Sequence, residues 1–234
     1  MEELIREEML LGAAAMEQLA GCHVAIFGIG GVGSYSAEAL ARAGIGSLTL
    51  IDHDTVGLSN INRQLCALHS TLGQNKAEVM ARRIADIRPD CRVRVIAQMY
   101  TEQNKDEFFT EPLDYIIDAI DTVSCKLSLI CNARERGIPI ISAMGTGNKL
   151  DPTKFVITDI SKTMGCPLAR VVRKELRERG ITHHTVLYSE EPPMTPTQLE
   201  APPPGRRAVP GSVSWVPSCA GLMLAGHVVQ ELIK

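Results

Sequence analysis

The chain has 234 residues, 45% of them hydrophobic, and a formal net charge of −3 at pH 7. This length suits one α/β domain with an extension, and the hydrophobic fraction is large enough for a sizeable core. The acidic balance gives no global signal for nucleic acid, the acidic N-terminus does not resemble a signal peptide, and no run approaches the ~20 apolar residues of a membrane span. We therefore expect a cytoplasmic protein that makes no membrane contact.

In chain order, the pattern begins with a predicted helix over residues 3–20 and continues with a βαβ unit over 22–52. In that unit, the strands are predicted at Val24–Phe27 and Leu48–Ile51, and the helix at Ser34–Ala43. The later predicted elements are a helix at 75–87, strands at 91–97 and 114–120, a helix at 123–136, strands at 138–141 and 155–160, a helix at 168–179, a strand at 184–188 and a helix at 218–233. Near-continuous apolar strands that alternate with helices predict a parallel sheet covered on both faces.

The predicted fold class is therefore α/β, a Rossmann-like, mainly parallel sheet with helices on both faces. We expect a single domain over 1–234, made of an N-terminal helix at 1–21, a nucleotide-binding core at 22–145 and a substrate-side extension at 146–234. The extension contains a proline-rich loop at 190–211, which is either disordered or a long functional loop.

The seven cysteines are scattered along the chain and form no CxxC pair. A disulfide framework is therefore not expected. The spacing excludes a zinc site built from two CxxC pairs, so we expect no structural zinc. Cys166 and Cys219 fall at the starts of predicted helices, where a thiol can become reactive, although both also suit small packing residues.

The motif GIGGVG lies between the first strand and the first helix of the βαβ unit, and Asp52 follows the second strand. Glycines at such a turn let backbone N–H groups approach phosphate, and the helix N-terminus adds partial positive charge. An acid at the tip of the second strand can accept hydrogen bonds from ribose. The motif predicts a nucleotide site that contains Gly28, Gly30, Gly31, Gly33 and Asp52.

Further polar residues follow the strands at the sheet edge where α/β proteins bind ligands. They are Arg63, Gln64, Lys76, Asp121 and Thr122. Arginine and lysine offset the charge of a nucleoside triphosphate, and a carboxylate such as that of Asp121 can hold Mg²⁺, which favours ATP over NAD. Three of these residues also have a purely structural interpretation: a solvated loop charge for Arg63, a helix-surface lysine for Lys76 and a helix N-cap for Asp121.

Taken together, GIGGVG, IDHDTVGLSNINRQ, GQNKAEV and DAIDT resemble the ubiquitin-activating-enzyme-like superfamily, which includes the molybdopterin and thiamine adenylyltransferases. The resemblance implies that Gly30 and Gly33 approach phosphate and that Asp52 holds the ribose. It also implies that Asn60, Arg63 and Lys76 bind phosphate, that Asp54 belongs to the nucleotide site and that Asp121 lies at Mg²⁺. Arg6 matches an arginine that reaches the partner's nucleotide in a homodimer, but an ordinary surface arginine fits equally well.

The second half carries a narrower resemblance, through TDISKTMGCPLARVVRKELRERG and PGSVSWVPSCAGLMLAG. These stretches resemble the tRNA threonylcarbamoyladenosine dehydratases. The resemblance implies that ATP activates the carboxylate of threonylcarbamoyladenosine, next to the tRNA anticodon, before the ring closes. Arg63, Lys76 and Asp121 are the expected catalytic residues, and a sulfur-transfer protein is a possible partner.

A basic segment supports a tRNA partner independently of the resemblance, because clustered positive charge in an acidic protein suits a phosphate backbone. Its candidate tRNA contacts are Lys162, Arg170, Arg173, Lys174 and Arg177. Arg206 and Arg207 add charge in the proline-rich loop. The competing interpretation is a solvated helix face with i,i+4 ion pairs such as Lys174–Glu178.

Three other functions stay open at this point. The chain could be an adenylyltransferase for a ubiquitin-like or sulfur-carrier protein, or a non-catalytic nucleotide-binding scaffold. An NAD dehydrogenase is the weakest of these, since it leaves Arg63, Lys76 and Asp121 without roles. The general base and the choice between an adenylate and an acyl-phosphate intermediate are not indicated by the sequence.

Overall fold

We describe the fold from a computed structural model, in which residues 2–199, 201 and 208–234 are described. Arg206, Arg207 and part of the 190–211 loop lie outside the described residues. A seven-stranded sheet in the order β3-β2-β1-β4-β5-β7-β6 forms the centre of the molecule. All neighbouring strands pair in parallel except β6, which pairs antiparallel with β7 at the sheet edge. The predicted Rossmann-like α/β class is confirmed.

The strands are β1 (His23–Phe27), β2 (Ser47–Ile51), β3 (Arg92–Ile96), β4 (Tyr115–Asp118), β5 (Ile140–Ala143), β6 (Phe155–Asp159) and β7 (Thr185–Ser189). The α-helices are α1 (Ile5–Leu11), α2 (Ala13–Gly21), α3 (Gly33–Arg42), α4 (Lys76–Ile87), α5 (Val123–Glu135), α6 (Pro167–Glu178) and α7 (Trp215–Leu232). Short 3₁₀ turns cover Glu2–Leu4, Leu58–Asn60, His69–Thr71, Lys105–Phe108, Pro152–Lys154 and Ile160–Lys162.

The two faces of the sheet are covered by different helices, as the near-continuous apolar strands require. Leu40 of α3, Met80 of α4 and Leu224 of α7 belong to the core on one face. Leu129 of α5 and Leu176 of α6 belong to the core on the other. Every residue of β1, β4 and β5 is buried, so the ligand-binding edge of the sheet rests on a rigid, close-packed centre.

Helix α7 packs tightly on α3, and a glycine makes this approach possible. A Cβ atom on Gly221 would lie 2.3 Å from the carbonyl oxygen of Val32. The hydroxyl of Ser36 donates to the Gly221 carbonyl over 2.9 Å. The last helix therefore supports the helix that follows the GIGGVG turn.

Some predicted boundaries were wrong for local backbone reasons. The helix predicted at 3–20 is broken at Gly12, whose φ of 85° and ψ of 157° do not fit a helix. Strand β4 ends at Asp118, so Asp121 follows the strand after a short segment rather than directly. Strand β5 begins at Ile140 because Gly137, at φ 67°, and Pro139 occupy the connection.

Helix α7 begins at Trp215 instead of residue 218. Cys219 therefore lies beyond the first turn of α7 and not at the helix start, where it was predicted. At that position the partial positive charge of the helix N-terminus does not activate its thiol. Among the described residues, no helix is both long enough and apolar enough to span a bilayer.

Candidate nucleotide site

A cavity of about 530 Å³ opens beyond the carboxyl ends of β1, β2, β4 and β5. Most of the predicted site residues line it: Gly28, Gly30, Gly31, Asp52, Asp54, Arg63, Gln64, Lys76, Asp121 and Thr122. These residues come from the three connections that follow β1, β2 and β4, and the parallel sheet brings these connections to one edge. The cavity lies where an α/β sheet binds its ligands.

The GIGGVG turn forms one wall of the cavity, and two of its glycines are required by contact. Gly28 has φ 91°, and a Cβ there would lie 2.7 Å from the Ala119 carbonyl oxygen. Gly33 opens α3, and a Cβ there would lie 1.8 Å from the Gly28 carbonyl oxygen. The turn is therefore closed enough to present backbone N–H groups and the N-terminal end of α3 to the cavity.

Asp52 ties this turn to the end of β2. Its two carboxylate oxygens accept from the backbone N–H of Ile29 over 2.6 Å and of Asp54 over 2.8 Å. Burial raises the pKa of Asp52, and these two N–H donors and the charge of Lys76 oppose that rise. A carboxylate oxygen can accept more than one hydrogen bond, so Asp52 also has capacity for a ribose hydroxyl.

Lys76 begins α4 and is buried despite its charge. Its Nζ lies 2.8 Å from Oδ2 of Asp54. Asn75 caps the helix by accepting from the Glu78 N–H over 3.1 Å, and its Nδ2 donates to the Asp52 carbonyl over 3.0 Å. The cap thus anchors the start of α4 to the segment that carries Asp52 and Asp54, and Lys76 is not the surface lysine that the sequence also allowed.

Arg63 is half-buried at the cavity, and its Nη1 donates to the Ser59 carbonyl and to Oδ1 of Asn62, each over 2.9 Å. Asn60 does not line the cavity; its Oδ1 accepts from the Gly57 N–H over 3.1 Å and closes the turn that precedes Arg63. Gly33 also lies behind the lining, at the base of α3, and Arg6 lies exposed on α1 away from the cavity.

Asp121 and Thr122 lie in the segment between β4 and α5, and the Thr122 hydroxyl is 3.4 Å from Oδ1 of Asp121. Thr122, not Asp121, is the N-cap residue of α5, so the capping interpretation of Asp121 was wrong. Carboxylates are ligands that Mg²⁺ takes, and those of Asp54 and Asp121 both line the cavity. The cavity therefore contains carboxylate ligands of the kind that Mg²⁺ takes, and Asp54 also pairs with Lys76.

A buried ion pair that sequence reasoning missed supports this segment. Nζ of Lys126 lies 2.7 Å from Oδ2 of Asp118, and both side chains are completely buried. Oδ1 of Asp118 accepts from the Ile120 N–H over 3.1 Å and so orients the residues that lead to Asp121. The available signal was an acid inside the apolar strand YIIDAI, which requires a buried partner.

A second part of the cavity, called the far half below, was not predicted from the sequence. It is lined by the segment after β5, including Asn148 and Lys149, and by Cys166 and Leu168 at the start of α6. Cys166 is buried at the N-cap position, and its sulfur accepts from the Ala169 N–H over 3.5 Å. The cavity is therefore longer than a nucleotide motif alone indicates.

The basic segment lies mostly at the surface but is not uniform. Arg173 donates to the carbonyl and the hydroxyl of Thr163, each over 2.6 Å. Lys174 pairs with Glu178 at 3.6 Å. Lys162, Arg170 and Arg177 are exposed and have no ion pair among the described residues. The predicted Lys174–Glu178 pair is present, and Arg173 supports the local fold.

The model of the ThiF family matches residues 4–234. A tRNA threonylcarbamoyladenosine dehydratase of Bacillus subtilis is 45% identical over 100% of this chain and 96% of its own length. One from Escherichia coli is 46% identical over 72% of this chain and 63% of its own length. The crystal structure of the E. coli enzyme, TcdA, in complex with ATP superposes with a TM-score of 0.90 at 36% identity, covering 99% of this chain and 94% of that one.

The family model, the B. subtilis relative and the E. coli structure match nearly the whole chain, including the second half, where the sequence motifs indicate the chemistry least directly. This chain belongs to the ThiF family, in the group formed by the tRNA threonylcarbamoyladenosine dehydratases.

Proposed function

We propose that this protein uses ATP to dehydrate threonylcarbamoyladenosine next to the anticodon of tRNA. One observation carries the proposal. The glycine turn, Arg63, Lys76 and Asp121 line one half of the cavity, and other residues, among them Lys149 and Cys166, line a second half that is available to a substrate beside the nucleotide. The full-length similarity to the B. subtilis dehydratase and the ATP complex of the E. coli enzyme support the same function.

In this reaction a carboxylate oxygen of the modified nucleoside attacks a phosphorus atom of ATP, and the bond from that phosphorus to its leaving group breaks. A nucleophile within the modified base then attacks the activated carbonyl carbon and expels the nucleotide or phosphate together with the carboxylate oxygen. The net result is the loss of one water, and no carrier protein is needed.

The chain contributes position and charge rather than a covalent intermediate. The turn at Gly28, Gly30 and Gly31 receives the phosphates, with Arg63 and Lys76 as cationic partners. Gly33 closes the turn, and Asn60 supports the loop that carries Arg63. Asp52 holds the ribose, and Gln64, Asp54 and Thr122 complete the nucleotide site. Asp121 would hold Mg²⁺, which would supply charge neutralisation at the phosphates.

On the outer surface, Lys162, Arg170 and Arg177 bind the tRNA backbone. The protein works as a cytoplasmic homodimer in which Arg6 reaches the partner's nucleotide. The apolar exposed side chains of Ile5, Met9 and Leu10 on α1, at 53%, 77% and 87% exposure, support a subunit contact through that helix.

The decisive test is incubation with ATP, Mg²⁺ and tRNA that bears threonylcarbamoyladenosine, followed by mass spectrometry of the nucleosides. We expect a product lighter by one water that depends on ATP. Unmodified tRNA is the matched control, since it lacks the carboxylate. An unchanged nucleoside would refute the proposal, and pyrophosphate exchange that needs a carrier protein ending in Gly-Gly would favour a carrier adenylyltransferase instead.

A further inference from the structure

The far half of the cavity contains a buried lysine that neither the nucleotide motif nor the proposed roles above use. Lys149 lies in the segment after β5, is only 4% exposed and lines the same cavity as Gly30 and Asp121. A lysine is rarely buried to this degree without a charged partner, because removing an ammonium ion from water is costly. Its surroundings therefore indicate what it binds.

Within the described part of the chain, Lys149 has no carboxylate as a partner. Its Nζ donates to the backbone carbonyl of Glu191, a neutral acceptor. The carboxylate of Glu191 is used elsewhere, since it accepts from the N–H groups of Leu150 and Asp151, each over 3.0 Å. An ammonium has three donors, so this one has capacity for an anion that the described residues do not provide.

The electrostatic balance at Lys149 is consistent with a missing anion. Burial lowers the pKa of Lys149, whereas Cys166 and Glu191 nearby act in the opposite direction. A ligand carboxylate beside the ammonium would act against burial and raise the pKa of Lys149 again.

A second element directs positive potential into the same half of the cavity. Helix α6 spans twelve residues and begins at Pro167, and its first turn, through Pro167 and Leu168, lines the cavity. The N-terminal end of a helix has partial positive charge. Lys149 and the start of α6 therefore both bring positive charge to the part of the cavity that is lined by the segment after β5.

We propose that Lys149, together with the N-terminal end of α6, binds the carboxylate of the substrate nucleoside and holds it for attack on ATP. The inference rests on the proposed function and adds a binding residue for the reacting group. Arg63 and Lys76 are the cations available to the phosphates of ATP in the nucleotide half. The carboxylate of the nucleoside is a second anion and needs a second positively charged site. A tRNA backbone phosphate fits this site poorly because the ammonium is buried.

The test compares Lys149→Met with Lys154→Met, an exposed lysine in the same region that has no ion pair among the described residues. Steady-state dehydration is measured with the modified tRNA, and affinity for a non-hydrolysable ATP analogue is measured by calorimetry. We expect Lys149→Met to lower kcat/KM for the tRNA by about 30-fold, the range for losing a hydrogen bond to a charged group. Affinity for the ATP analogue should stay unchanged, and Lys154→Met should behave as the wild type.

A second measurement distinguishes carboxylate binding from a merely structural role. The free nucleoside threonylcarbamoyladenosine and its methyl ester are titrated into the protein saturated with the ATP analogue. Wild type should prefer the carboxylate by about 30-fold, on the same estimate, Lys149→Met should show no preference, and Lys149→Arg should retain part of it. If Lys149→Met does not fold, Lys149→Gln, which is also neutral but keeps a donor, gives the same comparison.

The outcomes separate the two proposals. A wild type that dehydrates the tRNA, together with a neutral variant that keeps the carboxylate preference or loses affinity for both ligands alike, overturns the role of Lys149 and leaves the proposed function intact. A wild type that neither dehydrates the tRNA nor binds the nucleoside overturns both.

Discussion

Asp52 and Asp121 line the same cavity, but their carboxylates have different surroundings. Asp52 accepts backbone N–H groups on both oxygens and is part of the turn's construction as well as a ribose ligand candidate. Asp121 lies in the segment between β4 and α5, on a loop that Asp118 orients. Replacing Asp52 would therefore disturb the turn, and replacing Asp121 tests the proposed binding of Mg²⁺.

We predict that Asp121→Ala abolishes turnover and leaves the fold intact. Loss of a magnesium ligand removes charge neutralisation worth several kcal/mol, so the rate should fall at least about 100-fold. Dehydration rate and thermal unfolding are measured together. Glu107→Gln, at an exposed acid outside the cavity, is the control. Wild-type turnover in Asp121→Ala would refute the metal role.

His184 is a buried neutral group whose effect on stability can be given a sign. Burial, with the charges of Lys126 and Arg134, lowers the pKa of His184 from 6.5 to about 3. Its Nε2 lies 2.8 Å from the hydroxyl of Ser142 in β5. The unfolded chain takes up a proton below pH 6.5 and the folded chain does not, so the folded state loses stability as the pH falls through that range.

We predict that this group alone costs about 2 kcal/mol of unfolding free energy between pH 7 and pH 5. Urea unfolding of the wild type and His184→Gln at both pH values measures it. The variant should lose less stability on acidification, by about that amount. His69→Gln, at an exposed histidine, should keep the wild-type dependence. Parallel pH profiles for wild type and His184→Gln would contradict the assignment.

At the scale of elements, α6 combines three tasks along one helix. Its first turn lines the cavity, Val172 and Leu176 are buried against the sheet, and its outer face bears the basic residues. Because Arg173 holds the turn at Thr163, a charge reversal there would mix folding with binding. Arg170 and Arg177 are exposed, so replacing them tests tRNA binding by this surface without disturbing that turn.

We predict that Arg170→Glu with Arg177→Glu weakens tRNA binding and flattens its salt dependence by roughly one unit of slope per lost phosphate contact. Filter binding at several salt concentrations measures both effects. The control is Arg82→Glu with Lys234→Glu, which reverses the same amount of charge outside α6. Equal weakening by the two double variants would show that net charge, not this helix, controls binding.

The sequence predicted most elements because their signals are local. GIGGVG sits between a strand and a helix, and Lys76 begins a helix that Asn75 caps, so chain order alone located them. Lys149 was missed because the residue to which it donates, Glu191, lies 42 residues further along the chain. The ion pair of Asp118 and Lys126 was missed for a similar reason: the pattern of β4 shows an acid but not which helix residue faces it.

At the scale of the whole molecule, the proposed homodimer predicts a site shared between subunits. If Arg6 acts on the partner's nucleotide, both Arg6→Ala and Asp121→Ala are inactive alone. Mixing and reassociating them yields heterodimers with one intact site, so activity should recover to about a quarter of the wild type. Rates before and after mixing measure this.

The control mixture is Lys76→Ala with Asp121→Ala. Both residues line the cavity of their own chain, so every site in that heterodimer has a defect and no activity should return. Full activity of Arg6→Ala alone, or equal recovery in both mixtures, would exclude the arrangement in trans.

The strand order has a consequence for the sequence of events in folding. Strand β7 enters the sheet between β5 and β6, although β6 precedes it in the chain. The loop with Lys149 and the helix α6 both lie in the connections around that late insertion, whereas β1 to β4 pair without it. Because distant pairings form slowly, we expect the β1–β4 pair, in which Val24 lies beside Tyr115, to gain hydrogen-exchange protection during refolding after the β5–β7 pair, in which Ser142 lies beside Val186. The nucleotide half of the cavity, which needs β1 and β4 side by side, would then form after the half that contains Lys149.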